Sequence, residues 1–256
     1  MRFRSAAIGL IASAIVLAAC GAKPETNVSA QAAAPTTTAT QAASSAPTST
    51  YPDHTNIIAT IFYGGEVESE DNNWQTNEET AYCSDWKHCF GGVDDPDSRQ
   101  HDGAWPSGFK PRENPFYASL PCNEFNENGE TSGFMAIKNQ IPWSTDRPEG
   151  SALKNRWVQI TLNDKTVYAQ IEETGPFETG SETENDCEYV FSTTDQRPKT
   201  QFGLKAGLDV SPATALALGL NIDAGFGVVD WRFVDDNDVP IGPWREIVTT
   251  SAPYWQ

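Results

Sequence analysis

The sequence predicts an all-β domain with a minor α component. Short runs of β-branched and aromatic residues recur between clusters of glycine, asparagine and aspartate, which is the pattern of strands and turns. Two such runs, residues 156–162 and 166–172, are separated by an Asn-Asp pair and predict a β-hairpin. One segment, Pro212–Leu218, carries complete helix signals, with Ser211 as N-cap, proline in the first turn and Gly219 after the last turn.

The remaining elements follow in chain order. Residues 57–63 form a β-branched and aromatic run that ends at a Gly-Gly pair, and they predict the opening strand. Two further strands are predicted at residues 227–234 and 244–249. Two polar stretches, residues 66–115 and 178–202, lack a sustained period and are predicted to be long loop insertions.

The amino terminus indicates export. Two arginines precede an apolar run, residues 6–19, that is too short to span a bilayer. The run closes on Leu-Ala-Ala-Cys-Gly, which resembles a bacterial lipobox with Cys20 as the lipidated first residue of the mature protein. The resemblance implies a signal peptide at residues 1–19 and attachment to the membrane through the lipid alone. Glycine rather than aspartate after the cysteine implies an outer-membrane location.

Composition divides the rest of the chain. Residues 20–50 are almost entirely Ala, Thr, Ser, Pro and Gln, so they predict a disordered tether. Residues 51–256 are long enough for one folded domain. The chain has a net charge of −18, and its first 50 residues carry +2, which leaves −20 on the domain. That sign disfavours nucleic acid and anionic membrane surfaces as partners, and it is compatible with a neutral or amine-bearing polymer.

Four cysteines lie in the domain: Cys83, Cys89, Cys122 and Cys187. An even number in an exported protein favours two disulfides, for which three pairings are possible. Proximity in the sequence favours Cys83 with Cys89, which leaves Cys122 with Cys187.

Neither a metal nor a cofactor is predicted. His88 lies beside Cys89, but no Cys-x-x-Cys or His-x-x-x-His spacing supports zinc. Asp94, Asp95 and Asp97 form an acidic run without the glycine and glutamate of a calcium loop, so a solvated acidic turn is expected there.

Four segments resemble the double-psi β-barrel proteins, which include rare lipoprotein A, the expansins and the family 45 glycoside hydrolases. Residues 59–65, Ala-Thr-Ile-Phe-Tyr-Gly-Gly, resemble the opening strand of these families. Residues 116–121 stand where rare lipoprotein A has Ala-His-Arg-Thr-Leu-Pro. Residues 173–177 and 208–211 correspond to its Asp-Arg-Gly-Pro-Phe and Ile-Asp-Leu-Ser. The resemblance spans roughly residues 57–248 and implies a six-stranded double-psi barrel with long loop insertions.

The resemblance also implies candidate catalytic residues. Asp209 corresponds to the acid of family 45 hydrolases and of the lytic transglycosylase A barrel, where it faces a glycan groove. Inverting hydrolysis needs a second carboxylate, for which Glu66 and Glu173 are the candidates. Glu172 is expected on the opposite sheet face, because strand side chains alternate. The alternative is that Asp209 only braces the barrel. An aspartic protease is unsupported, because such enzymes need two aspartates in two motifs and neither Asp-Thr-Gly nor Asp-Ser-Gly occurs in the chain.

Aromatic residues could stack on sugar rings. Tyr63 and Tyr117 lie in the matched segments, and Tyr117 takes the place of the histidine of rare lipoprotein A. Trp105 and Trp143 lie in loop-like sequence, where ordinary packing is the competing interpretation. We therefore expect a monomeric lipoprotein that faces the periplasm or the cell surface and binds and cleaves peptidoglycan or β-glucan. The alternative is a non-catalytic, expansin-like module that binds polysaccharide or organises the envelope.

Overall fold

The computed structural model describes residues 51–70, 72, 74–143, 150–177, 186–191, 198 and 205–253, all within one compact unit, Pro47–Gln256. The predicted signal peptide, Cys20 and the tether lie outside the described residues and stay predictions. So do parts of the predicted loop at residues 178–202.

The described residues form ten strands and four short helices. The strands are β1 (His54–Ile61), β2 (Arg99–Gln100), β3 (Trp105–Pro106), β4 (Tyr117–Leu120), β5 (Phe125–Asn126), β6 (Gly129–Glu130), β7 (Trp157–Leu162), β8 (Lys165–Thr174), β9 (Ala206–Val210) and β10 (Phe226–Val234). The helices are α1 (Trp86–Phe90), α2 (Ser132–Ile137), α3 (Cys187–Phe191) and α4 (Pro212–Leu218).

Six of these strands close into a barrel in the order β1-β10-β7-β8-β4-β9. The pairs β1–β9 and β4–β8 are parallel, and the other neighbours described in the barrel are antiparallel. The prediction of a mostly β domain with a minor α component is confirmed. A closed barrel leaves no strand edge unpaired over its hydrogen-bonded length.

The barrel interior is apolar. Along β1, Ile57 and Ala59 are buried, and on the neighbouring β10 the alternate residues Val229, Trp231 and Phe233 are buried with them. This period-2 alternation places one face of each strand in the core and the other outside. The outward face of β1 and β10 is therefore free to carry functional side chains.

The predicted helix is confirmed as α4. The Ser211 hydroxyl accepts a hydrogen bond from the backbone N–H of Thr214, as an N-cap does, and Gly219 ends the helix in the left-handed conformation at φ 80°. Ser211 also donates to the carbonyl of Pro115, just ahead of β4. The cap thus ties the start of α4 to a barrel strand.

The predicted hairpin is confirmed as β7–β8, with Asn163 at φ 56° in its turn. The strand predicted at residues 244–249 is wrong: a 3-10 turn occupies Pro243–Arg245, and no described strand follows. Side chains satisfy this backbone instead. Gln170 bonds both the N–H and the carbonyl of Thr249, and Asn114 donates to the carbonyl of Trp244.

Two disulfide bonds cross-link segments outside the barrel strands. Cys83 is bonded to Cys89 and Cys122 to Cys187, so the predicted pairing is confirmed. The first bridge lies in the long loop before β4, where α1 and the β2–β3 pair also form. Short elements such as α1 escaped the prediction because five residues carry little periodicity.

Candidate functional site

Four polar side chains lie in register across neighbouring barrel strands. Thr60 on β1 pairs with Asp209 on β9, Asp209 pairs with Ser119 on β4, and Ser119 pairs with Glu173 on β8. We call this set the acid row. The barrel closure brings these residues together from distant parts of the sequence, and α4 begins directly after the strand that holds Asp209.

Asp209 accepts hydrogen bonds from two hydroxyl groups. Thr60 Oγ1 donates to its Oδ1, and Ser119 Oγ lies 3.1 Å from its Oδ2. Burial raises the pKa of Asp209 to about 6, with a smaller raising contribution from the charge of Glu66, although the two hydroxyls favour the ionised form. Only 9% of the residue is exposed. Asp209 is therefore a carboxyl group that titrates near the middle of the physiological range.

The Ser119 hydroxyl has one proton but lies within hydrogen-bond distance of two possible acceptors. Its Oγ lies 3.1 Å from the carbonyl oxygen of Gly175 and 3.1 Å from Asp209 Oδ2. A carbonyl oxygen can only accept, so a protonated Asp209 completes the chain by donating to Ser119 while Ser119 donates to Gly175. When Asp209 is ionised, the Ser119 proton can turn to the carboxylate instead. Ser119 can thus satisfy both protonation states of Asp209.

Glu173 is the second buried carboxyl group of the acid row. Its Oε1 accepts from the backbone N–H groups of Ala81 (2.9 Å) and Thr174 (2.6 Å). Burial raises the pKa of Glu173 to about 8 despite these bonds, and the charge of Asp209 adds to the rise. Glu173 is therefore neutral at pH 7. The chain then turns at Gly175, where a Cβ would lie 3.4 Å from Asp209 Oδ2.

Glu66 lies in the loop after β1, and its negative charge contributes to the raised pKa of Asp209. Asn72 Nδ2 donates to Glu66 Oε1 at 3.0 Å, and Asn77 Nδ2 donates to Oε2 at 2.7 Å. Burial raises the pKa of Glu66, while both amides oppose the rise. All three predicted catalytic carboxyls thus form one electrostatically linked group, in which Glu66 holds its own loop together.

Two predicted sugar-binding tyrosines differ in position. Tyr63 is half-buried beside Glu66, and burial followed by the nearby acidic charges raises its pKa. Tyr117 is buried: its hydroxyl donates to Asp94 Oδ2 and accepts from the N–H of Gly64, each at 2.9 Å. Tyr117 therefore braces the interior, and a ligand contact by it stays a prediction.

The expectation of a solvated turn is wrong for Asp94. This residue is fully buried and forms an ion pair with Arg99. Its carboxylate also receives the Tyr117 hydroxyl. Burial raises the pKa of Asp94, and Arg99 opposes that rise. Asp94 thus holds the loop before β4 to that strand, through its hydrogen bond with Tyr117.

The two predicted tryptophans lie in aromatic packing away from the acid row. Trp143 is half-buried, with Phe233 4.8 Å away between ring centroids and the Arg156 guanidinium 4.3 Å above its ring. Trp105 lies against His101, with ring centroids 4.0 Å apart. Ordinary packing accounts for both positions. Trp74, in the loop that Glu66 holds, is the most exposed tryptophan of the described residues at 65%.

Glu172 does lie apart from the acid row, as strand alternation predicted. Its Oε2 is 2.6 Å from Lys154 Nζ, and both side chains are buried. Burial lowers the pKa of Lys154, but the charges of Glu172 and Glu113 outweigh it and the net shift is upward. Glu113 itself has a pKa of about 7, raised by burial and then by Glu172. No local sequence pattern marks Lys154 or Glu113 as members of a buried cluster.

A cavity of about 280 Å³ lies elsewhere, lined in part by His101, Phe116, Ala213 and Glu246. It includes none of the three linked carboxyls. In the described part of the chain, no group of three His, Cys, Asp or Glu side chains is arranged to hold a metal ion. No helix there is long and apolar enough to cross a membrane.

No protein-family model matches the chain, and no curated protein matches it. What the fold and the site define is a closed six-stranded mixed β-barrel with a row of four polar side chains across four strands, two of which are the buried carboxyl groups of Asp209 and Glu173. The inference of function therefore rests on that geometry and on the sequence motifs.

Proposed function

We propose that this chain is a lipid-anchored envelope protein whose barrel binds a cell-wall glycan and cleaves it with Asp209 as general acid. The carrying observation is the hydrogen-bonded, buried Asp209 carboxyl with a pKa of about 6. A general acid works best when its pKa lies near the working pH. The parallel pairs β1–β9 and β4–β8 and the position of α4 behind Asp209 support a double-psi barrel.

The hydrogen bond between Ser119 and Asp209 supports the proposed proton donation by Asp209. The Asp209 proton passes to the glycosidic oxygen as the bond from that oxygen to the anomeric carbon breaks, so the leaving sugar departs as an alcohol. The carboxylate that remains accepts a hydrogen bond from the Ser119 hydroxyl, which keeps its own proton. Ser119 thereby stabilises the charge that develops on Asp209 during bond cleavage.

The anomeric carbon then needs a nucleophile. In hydrolysis a water attacks and gives its proton to a second carboxylate, whereas in lytic transglycosylation a hydroxyl of the substrate itself attacks and gives its proton to the Asp209 carboxylate. Glu173 is neutral at pH 7 because its pKa is about 8, which makes it a poor base at that pH. Glu66 has both oxygens engaged by Asn72 and Asn77. These contacts favour the lytic route, in which one carboxyl group suffices.

A non-catalytic glycan-binding module is the second candidate. The observation in its favour is that Asp209 and Glu173 each keep only 9% of their surface exposed. The cavity lined in part by His101 and Phe116 also includes neither of these two side chains in its lining. In this case the acid row would brace the barrel under a binding surface, as the bracing interpretation of Asp209 requires.

Incubation of the purified domain with peptidoglycan sacculi and with β-glucan distinguishes the two candidates. Mass analysis of the soluble fraction should show released fragments with wild type and at least about 100-fold fewer with Asp209→Asn, the loss expected for a missing general acid. Asp223→Asn, an exposed aspartate outside the acid row, is the matched control and should release fragments at the wild-type rate. Binding to sacculi without release by wild type would favour the non-catalytic module. Equal release by Asp209→Asn and wild type would exclude the proposed role of Asp209.

A further inference from the structure

The acid row continues onto β10. Phe226 pairs with Thr60, and Val228 pairs with Ile58, in the antiparallel β1–β10 ladder. Directly paired side chains lie on the same sheet face, and residues two apart on one strand do so as well. Ile58, Phe226 and Val228 therefore share the face on which Thr60 donates to Asp209. We call these three residues the apolar strip.

The apolar strip is at least partly exposed, whereas the adjacent residues Ile57, Ala59 and Val229 are buried. Phe226 is 43% exposed and Val228 49% exposed, while Val229, the next residue of β10, is 1% exposed in the barrel interior. Ile58 is partly exposed. An aromatic ring and two branched aliphatic side chains thus lie side by side on the outer surface, next to the acid row.

We propose that the apolar strip is the sugar-stacking platform of the glycan site, a deepening that rests on the proposed function. Strands lie about 4.8 Å apart, so Phe226 on β10 and Asp209 on β9, with β1 between them, are about 10 Å apart across the sheet. A pyranose ring presents a flat C–H face that packs on an aromatic ring. When one sugar of a glycan chain stacks on Phe226, the neighbouring sugars of that glycan chain lie over Thr60 and Asp209.

The alternative occupants fit the apolar strip less well. A peptide cannot pair along β1 or β10, because each already has a partner on both sides in the closed barrel. A second copy would need about 800 Å² per partner, far more than three partly exposed side chains supply. The net charge of −20 on the domain disfavours an anionic lipid surface. A neutral or amine-bearing glycan remains the compatible occupant.

Co-sedimentation with peptidoglycan sacculi tests the platform. Phe226→Ala should raise the apparent Kd about fivefold or more, the effect of truncating a side chain that contributes to binding. Ile241→Ala removes a fully exposed apolar side chain elsewhere and should bind like wild type. Thermal melting of each variant checks that the domain stays folded, and Val228→Ser, a smaller change on the same strip, should weaken binding in the same direction.

The outcomes separate the two proposals. If wild type and Phe226→Ala bind sacculi equally, the platform is wrong and the glycan function stands. If wild type binds neither sacculi nor β-glucan, both proposals fail. If wild type is a dimer in sedimentation velocity and Phe226→Ala is a monomer, the strip is a self-association surface and the platform is again wrong.

Discussion

At the residue scale, the unusual feature is that Asp209 and Glu173 are buried and that neither forms an ion pair with another described residue. Asp209 and Glu173 are neutralised by protons rather than by lysine or arginine, because burial raises both pKa values above those of exposed carboxyls. Burial of each of these two carboxyl groups costs free energy of folding. Such costs are common at functional sites, where the geometry required for chemistry differs from the geometry of greatest stability.

The raised pKa values predict how stability varies with pH. In the folded state Asp209 binds its proton up to about pH 6 and Glu173 up to about pH 8, whereas in the unfolded chain both lose it near pH 4. The folded state therefore holds more protons between pH 4 and 8, and these groups lower the free energy of unfolding as pH rises through that window. For Asp209 the loss between pH 4.5 and 8 is on the order of 2 kcal/mol.

Asp209→Asn should remove that part of the slope. The asparagine amide can donate to Ser119 as the protonated acid does, so the variant should fold and should be more stable than wild type at pH 8. Urea unfolding at pH 4.5 and pH 8 measures the difference, with Asp223→Asn as the control that keeps the wild-type slope. Parallel slopes for wild type and Asp209→Asn would show that Asp209 titrates alike in the folded and unfolded states.

The buried pair of Lys154 and Glu172 predicts a large loss of stability when one partner is removed. Lys154→Met leaves Glu172 buried without its partner, so it should lower the free energy of unfolding by about 3–5 kcal/mol at pH 7. Lys138→Met, at the partly exposed pair with Glu130, should cost less than about 1 kcal/mol. Chemical unfolding of both variants makes the comparison. If both variants lose a similarly small free energy of unfolding, water has access to the Lys154–Glu172 pair.

At the element scale, local signals and distant contacts determined different parts of the fold. Helix α4 lies where Ser211, the following proline and Gly219 predicted it, because capping acts within one turn. The absence of a strand after Trp244 could not be predicted in this way, because Asn114 and Gln170, far away in sequence, bond that backbone.

The candidate site shows the same division. The motifs around Asp209 and Glu173 indicated those two acids, whereas the Lys154 cluster and the burial of Tyr117 depend on the barrel closing. Phe226 and Val228 also escaped the sequence analysis. Their alternation with buried residues along β10 was visible, but which outward face adjoins Asp209 is a matter of strand order.

The two disulfides should differ in their contribution to stability. Cys122 and Cys187 are 65 residues apart, whereas Cys83 and Cys89 are only 6 apart. The Cys122–Cys187 bridge therefore constrains the unfolded chain more. Replacing both Cys122 and Cys187 by serine should lower the free energy of unfolding by about 2 kcal/mol more than replacing Cys83 and Cys89. Chemical unfolding of the two double variants tests the order. The reverse order would mean that strain or native contacts outweigh loop entropy here.

At the scale of the whole molecule, the proposal joins an anchor, a tether and a barrel. A coil of about 30 residues spans roughly 30 Å on average, which would let a barrel on a lipid anchor reach the cell wall from the membrane surface. The strongly acidic domain would not be drawn onto an anionic membrane meanwhile. A glycan layer beside a membrane is a suitable target for such an arrangement.

The anchor rests on Cys20. We expect the wild-type protein to fractionate with the outer membrane, because the segment that resembles a lipobox would make Cys20 the site of acylation. Cys20→Ser should leave the protein in the soluble periplasmic fraction or unprocessed. Membrane fractionation followed by immunoblotting measures this, with Gly21→Ala as a variant that keeps the cysteine. Wild-type amounts of Cys20→Ser in the outer membrane would contradict the lipid anchor.

The pH dependence of glycan fragment release tests the central claim most directly, since the claim is that Asp209 donates a proton. With sacculi as substrate, the rate for wild type should fall as pH rises through about 6, where Asp209 loses its proton. The small residual rate of Asp209→Asn should not show this decline as pH rises through about 6. A decline centred near pH 8 would assign the acid to Glu173 instead, and a rate that does not change between pH 5 and 7 would contradict proton donation by Asp209.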